Sequence, residues 1–450
     1  MSKNQKKLTL FSLTWPIFIE IFLHMLMGNA DTLMLSQFSD ESVAAVGVAN
    51  QILSIIIVMF GFVATGTSIL IAQNLGAKND GTAGEISVVA LGANLVFGLA
   101  LSGVLLLFSQ PLLMLMDLPG ELLPEAAIYL KIVGGFAFIQ ALIMTVGAII
   151  RSYGFTRDAM YITLGMNALN AFGNYVFIFG AFGAPILGVK GVAISTITSR
   201  LIGLIVALFL MYKRTNSTFT ILSLFKLPKS HLSNLLRIGV PSAGEHLSYN
   251  GSQIVITYFI TMLGTQALTT KVYTQNIMMF IFLFSFAISQ GTQILIGHQV
   301  GAQKFEQAYQ RCIKSLRIGI TISFFMSVIF SIFSKNLLAI FTDNPEIIAS
   351  GSVLIFLTII LEPGRSFNLV IINALRAAGD VKYPVFIGIL SMWGVSVTLS
   401  YILGIYFGLG LVGVWMSFIV DEWLRGLIML RRWKSKVWIR KNFVKEEPLS

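Results

Sequence analysis

The feature that most limits this chain is an apolar run of about 20 residues, the length that crosses a bilayer core as a helix. Such runs recur along the whole sequence. They fall near 10–34, 47–73, 87–109, 126–150, 160–180 and 190–212, and again near 233–263, 274–298, 313–334, 349–373, 383–407 and 409–430. A membrane barrel would instead read as alternating segments of about ten residues. The composition agrees: 56% of residues are hydrophobic, 11% are charged, and the mean hydropathy is +0.82. The sequence therefore predicts an all-α polytopic membrane protein with twelve transmembrane helices.

Positive loops stay on the cytoplasmic side. With the N-terminus inside, that side collects most lysines and arginines, among them Lys3, Lys6, Lys7, Lys226 and the tail from Arg431 to Lys445, against Lys131, Lys190, Lys271 and Lys335 opposite. Both termini are expected in the cytoplasm, at the cell inner membrane. The net charge of +11 sits in membrane loops and in this tail, which points to anionic lipid headgroups and not to nucleic acid. No obligate protein partner is expected. The single cysteine, Cys312, excludes an intramolecular disulfide and a Cys-based metal cluster. The first apolar run is too long for a cleavable signal peptide, and no small-residue cleavage site follows it.

The two series of runs are copies. Setting residue n against n+225 places Pro16 on Pro241, Glu20 on Glu245, GTSILIAQNLGA (66–77) on GTQILIGHQVGA (291–302), and Arg151 on Arg376. With a three-residue shift, GVKGVAIS (188–195) answers GLVGVWMS (410–417). Six spans precede the offset, so both halves enter the membrane the same way up. The expected organisation is a six-helix bundle over 1–212, a cytoplasmic linker over 213–231, a second bundle over 232–432 and a basic tail over 433–450. Two such pseudo-symmetric bundles around a central cavity suit alternating access.

Against this apolar background the polar residues stand out. Glu20, His24, Met27 and Asp31 are spaced +4, +3 and +4 and share one helix face. An ionised group in hydrocarbon costs about 2.5 kcal/mol or more, so this face must meet protein or water. Burial favours the neutral carboxyl and a nearby cation favours the charged one, which makes Asp31 a candidate for exchanging a proton or cation against cargo. Asn170 and Asn174 lie one turn apart on the fifth span, able to serve an ion or to bind helices together. In the second half Glu245, Tyr249 and Gln253 make a similar stripe, Glu362 and Arg365 are placed to neutralise each other, and Asp421, Glu422 and Arg425 read as interfacial.

The twelve spans in two homologous halves, NADT late in the first helix, GTSILIAQNLGA closing the second and LRAAGDVKYP after the tenth resemble the multidrug and toxic compound extrusion (MATE) family. The resemblance covers essentially the whole chain. It implies an antiporter that exports organic, mainly cationic compounds in exchange for protons or sodium ions. It also implies that Asp31 is the coupling aspartate, with Asn170, Asn174 and Thr196 around it. At Asn174 the archaeal branch resembles an aspartate instead, so this chain departs by one negative charge. The glutamate and aspartate of sodium-coupled members fall on Tyr249 and Ser366 here, so H+ is the favoured coupling ion and Na+ the alternative. The expected substrate contacts are Glu20, His24, Met27, Asp31, Glu245, Tyr249 and Gln253. No cofactor or metal is expected.

Two other functions compete. A flippase for a lipid-linked substrate would need cationic groups for phosphates, whereas Glu20, Asp31, Glu245 and Glu362 outnumber Arg200 and Arg365 within the spans. An enzyme finds no support, because no Walker A, HExxH or soluble catalytic segment is present.

Overall fold

In hydrocarbon a helix satisfies every backbone N–H and C=O within its own segment, and a chain this apolar has few alternatives. The computed structural model describes residues 8–116, 118–215, 224 and 228–444, and every regular element among them is helical. In order these are α1 (Leu10–Ser36), α2 (Asp40–Gly76), α3 (Asp80–Met114), α4 (Leu123–Gly134), α5 (Ala137–Ser152), α6 (Thr156–Phe179) and α7 (Gly188–Thr215). The series continues with α8 (Lys229–Thr261), α9 (Thr265–Gly301), α10 (Phe305–Ile332), the short α11 (Ser334–Ala339), α12 (Pro345–Ala377), α13 (Lys382–Tyr406) and α14 (Gly410–Lys434). Helices α4 and α5 form one span bent by 44°. With that pair counted once and α11 set aside, twelve long helices remain. The shortest, α6, has 24 residues, about 36 Å of helix against a hydrocarbon core of about 30 Å.

Eight of the twelve are apolar enough to span by composition, and the bent pair makes nine. The other three, α6, α8 and α14, carry polar groups turned inward: Asn170 and Asn174, Glu245, and Asp421 with Arg425 are all buried. Polar residues elsewhere join helices in the same way. Ser285 bonds Ser323 at 2.9 Å, and Asn373 donates to Ser289 at 2.9 Å.

The chain forms two compact units. The N-terminal unit holds residues 19–71 and 79–239, and the C-terminal unit holds the chain from Val240 on, the start of α1 up to Phe18, and residues 72–78. Leu35, Phe60, Leu105, Tyr129 and Val192 lie in the core of the N-terminal unit. In the C-terminal unit Phe367, Ile371, Trp433 and Trp438 do the same.

The repeated NLGA and QVGA ends have a steric cause. Within the C-terminal unit a Cβ on Gly301 would overlap the Gln73 carbonyl group, and one on Gly76 the carbonyl group of His298. Gln73 and His298 are themselves repeat partners, so the ends of α2 and α9 pass with backbones touching, an approach only glycine permits.

Two segments differ from the sequence expectation. Helix α7 continues to Thr215 and α8 begins at Lys229, so the ends of the 213–231 linker are helical. Most of its middle, including Lys226, lies outside the described residues, as do Lys3, Lys6, Lys7 and Lys445. The described part of the tail is packed on protein: Trp433 and Trp438 are buried and stack at 4.2 Å. The Gln73 side chain accepts from the Phe443 N–H at 2.8 Å and donates to the Ala377 carbonyl at 2.6 Å. Arg432 pairs with Asp380 at 2.7 Å and Lys436 with Glu306 at 2.9 Å.

Candidate functional site

In the N-terminal unit, α1 presents Asp31 to α6. The Asn174 side-chain amide donates to Asp31 Oδ1 at 2.6 Å and, with its other hydrogen, to Asn170 Oδ1 at 3.4 Å. Asn170 in turn donates to Thr196 Oγ1 on α7 at 3.2 Å, and the Thr196 hydroxyl donates to the Val192 carbonyl at 2.9 Å. Asp31, Asn174, Asn170 and Thr196 thus form one chain of polar groups. Asp31 is half-buried, the other three are buried, and Asn174 Oδ1 has no partner. No cation lies within 4.0 Å of Asp31 among the described residues.

Two further residues belong to this cluster: Arg200, counted from the sequence only as a cation within the spans, and Tyr129, which the sequence did not single out. Arg200 lies one turn beyond Thr196 on α7, close enough to Asp31 to act on it electrostatically. Tyr129, buried on α4, sits within reach of Thr196 and Asn50 and also feels Arg200. The available signal was the i, i+4 spacing of Thr196 and Arg200 on one helix face. For Tyr129 no comparable spacing exists.

Of the other residues on the α1 stripe, His24 is exposed and Met27 is half-buried. Glu20 is engaged elsewhere: its Oε1 accepts from Arg151 Nη1 on α5 at 2.7 Å. One turn on, the Asn167 amide donates to the Leu23 carbonyl at 2.7 Å, a second tie between α6 and α1.

The C-terminal unit repeats the first of these ties. Arg376, in the last turn of α12, pairs with Glu245 on α8, and both residues stand 225 positions after Arg151 and Glu20. Tyr249 and Gln253 do not join Asp31. They line a small polar cavity of the C-terminal unit, about 30 Å³, which is room for about two water molecules. Arg365, Asp421, Glu422 and Arg425 complete its charged wall. Glu362 bonds Arg365 at 2.7 Å, Asp421 bonds Arg425 at 2.7 Å, and Glu422 lies 3.2 Å from Arg425 and 3.6 Å from Arg365. The expectation that Asp421, Glu422 and Arg425 are interfacial is corrected here. Helix α14 runs on to Lys434, so the three fall at its middle, and Asp421 and Arg425 are buried. The wall is flanked by α13, where Met392–Val397 forms a π-helical turn that brings Met392 and Ser396 to the cavity. Such turns are frequent at functional sites.

Among the described residues no three His, Cys, Asp or Glu side chains converge on a metal-sized site. The MatE family model matches the chain twice, at residues 16–176 and 241–402. The chain belongs to the MATE family of transporters. The two matches stand in the register of the sequence repeat. The chain is 57% identical to the uncharacterized transporter YisQ of Bacillus subtilis strain 168, over 97% of this chain and 96% of that one. It is 28% identical to the probable multidrug resistance protein NorM of Thermotoga maritima, over 97% and 95% of the two chains. Its fold is that of the crystal structure of MATE in the bent conformation, with a TM-score of 0.88, 22% identity and 96% of each chain covered. A MOP superfamily transporter from Pyrococcus furiosus, described as having a binding pocket of reverse polarity, superposes with a TM-score of 0.86 at 21% identity over 96% of each chain. The protein is thus a multi-pass membrane transporter with the twelve-helix MATE fold.

Proposed function

We propose that this transporter is a secondary active antiporter of the cytoplasmic membrane, both termini inside, which exports organic cations by alternating access in exchange for protons at Asp31. The observation that carries the reading is the setting of Asp31: a half-buried carboxylate held by one amide, with no cation in contact among the described residues. The Asn174 amide serves both states of such a carboxyl. Its N–H donates to the carboxylate, and after an amide flip its otherwise unpartnered Oδ1 accepts from the protonated acid. A proton or a cationic cargo can then occupy the same charge in turn.

Sodium is the weaker candidate. A hard cation wants several oxygen ligands, and here an N–H faces the carboxylate with the Arg200 guanidinium nearby. The acidic excess counted from the sequence is smaller than the residue list suggests. Glu20 and Glu245 are neutralised by Arg151 and Arg376, and Glu362 by Arg365. Glu20 and Glu245 therefore act as helix anchors more than as substrate contacts, and Asp31 carries the cation-binding role in the N-terminal unit.

The test is export of a fluorescent organic cation from sodium-free proteoliposomes under an imposed pH gradient, wild type beside Asp31→Asn. The wild type is expected to transport and the variant to lose gradient-driven transport. Transport that begins only when sodium is supplied would replace the proton by sodium in this reading.

A further inference from the structure

Arg200 has no role in holding cargo or proton in the exchange scheme above, where it only disfavours a metal cation. A guanidinium within a membrane span is costly and persists where it has a partner or a task. Among the described residues no carboxylate lies within 4.0 Å of it, and it is half-buried, so its fork stays reachable. The other arginine of this unit's polar face, Arg151, is already paired with Glu20.

The route from Asp31 to Arg200 is continuous. Asp31 bonds Asn174, Asn174 bonds Asn170, Asn170 bonds Thr196, and Arg200 follows Thr196 by one turn of α7. The two charges are held apart on one polar shelf and do not close on each other. Their sum is zero. A simple monocation on ionised Asp31 would leave Arg200 uncompensated beside it. A cargo with a charge of each sign satisfies both.

The repeat supplies a contrast. With the shift that aligns GVKGVAIS and GLVGVWMS, each helix opens on a glycine with positive φ, Gly188 at 52° and Gly410 at 57°, and Arg200 falls on Glu422. That carboxylate is consumed internally, accepting from the Asn368 amide at 2.8 Å and facing Arg365 and Arg425. The equivalent charge on α7 is left open.

We propose that the N-terminal unit selects zwitterionic organic cargo, with the substrate's cationic group at Asp31 and its carboxylate at Arg200, whose planar fork matches a carboxylate in two hydrogen bonds. The proposal rests on the Asp31 reading above and assigns Arg200 as the residue that sets specificity for the anionic group.

Rhodamine B and its ethyl ester test it, because they share the cationic ring system and differ in whether a free carboxylate is present. Binding of each to the purified full-length protein is followed by fluorescence anisotropy for wild type, Arg200→Gln, Arg200→Lys and Asp31→Asn. The wild type is expected to bind the acid about tenfold or more tightly than the ester, the size of one charge-assisted contact. Arg200→Gln removes that preference by weakening the acid alone, and Arg200→Lys, which keeps the charge without the fork, retains part of it. Asp31→Asn weakens both dyes. A wild type that binds the acid no better than the ester overturns the proposal, as does an Arg200→Gln variant that weakens both dyes equally. In either case a cation site that still depends on Asp31 leaves the exchange reading standing. If Asp31→Asn binds both dyes as the wild type does, the Asp31 reading itself falls. Should Arg200→Gln melt well below the wild type, the lysine variant decides: a preference for the acid unchanged from wild type would count against the fork.

Discussion

The Asn174 amide spends one hydrogen on Asp31 and the other on Asn170, so a single truncation disconnects the carboxylate from the rest of the cluster. Hydrogen bonds to charged groups contribute about 1.5–3 kcal/mol, and their loss at Asn174→Ala is expected to slow gradient-driven export about tenfold or more. A melting temperature within a few degrees of wild type would show that the bundle survives. Export at the wild-type rate would mean that Asp31 does not depend on its amide. Asp31 and Asn174 were legible in the sequence because carboxylates and amides are conspicuous in apolar runs. Their mutual contact was not, since the two residues lie 143 positions apart and only packing brings α1 to α6. Tyr129, and the place of Arg200 beside Asp31, escaped notice for a related reason. A residue's task inside a bundle is set by which neighbours are already paired, and that follows from the fold alone.

Helix α1 is fixed to its bundle by Glu20 and Arg151, and α8 by Glu245 and Arg376. Eleven residues at about 100° each return Asp31 to within about 20° of the direction of Glu20, so the anchor also sets the direction of Asp31. On α8 the residue eleven positions after Glu245 is Ile256, which is fully buried. The same anchor therefore serves a polar function in one unit and packing in the other. Glu20→Arg or Arg151→Glu alone is expected to destabilise by about 1–3 kcal/mol and to impair export, because each leaves like charges in a partly buried site. The double exchange should recover much of both in a thermal melt and a transport assay. A double variant no better than the singles would show that the pair has no direct coupling. The sequence did contain this signal: Glu20, Glu245, Arg151 and Arg376 all obey the 225-residue repeat, although nothing along the chain said that the glutamates meet the arginines. At the crossing of α2 and α9, Gly301→Ala would drive a Cβ into backbone, which cannot rotate away. This variant is expected to be among the most damaging single-methyl additions in the protein, read as loss of folded yield, whereas Gly244→Ala on α8 has open space around it and should be tolerated.

For the whole molecule, the twelve-helix plan was readable because lipid imposes length and hydropathy on every span. The exceptions are instructive. Helices α6, α8 and α14 fall short in apolar composition because they carry the buried polar groups of the candidate sites, and α14 hid its charged centre by running past its apolar stretch to Lys434. The break between α4 and α5 falls at the Gly134–Gly135 pair, a mark that the hydropathy of the run as a whole passes over. The proposed competition of cargo and proton for Asp31 is tested most directly by counting protons. Saturating organic cation is added to the detergent-solubilised protein in weakly buffered, sodium-free solution near the pH at which Asp31 is half-protonated, and the pH change is recorded for wild type and Asp31→Asn. The wild type is expected to release a measurable fraction of one proton per cation bound and the variant none. Binding of the cation without proton release from the wild type, or equal release from both proteins, would contradict it.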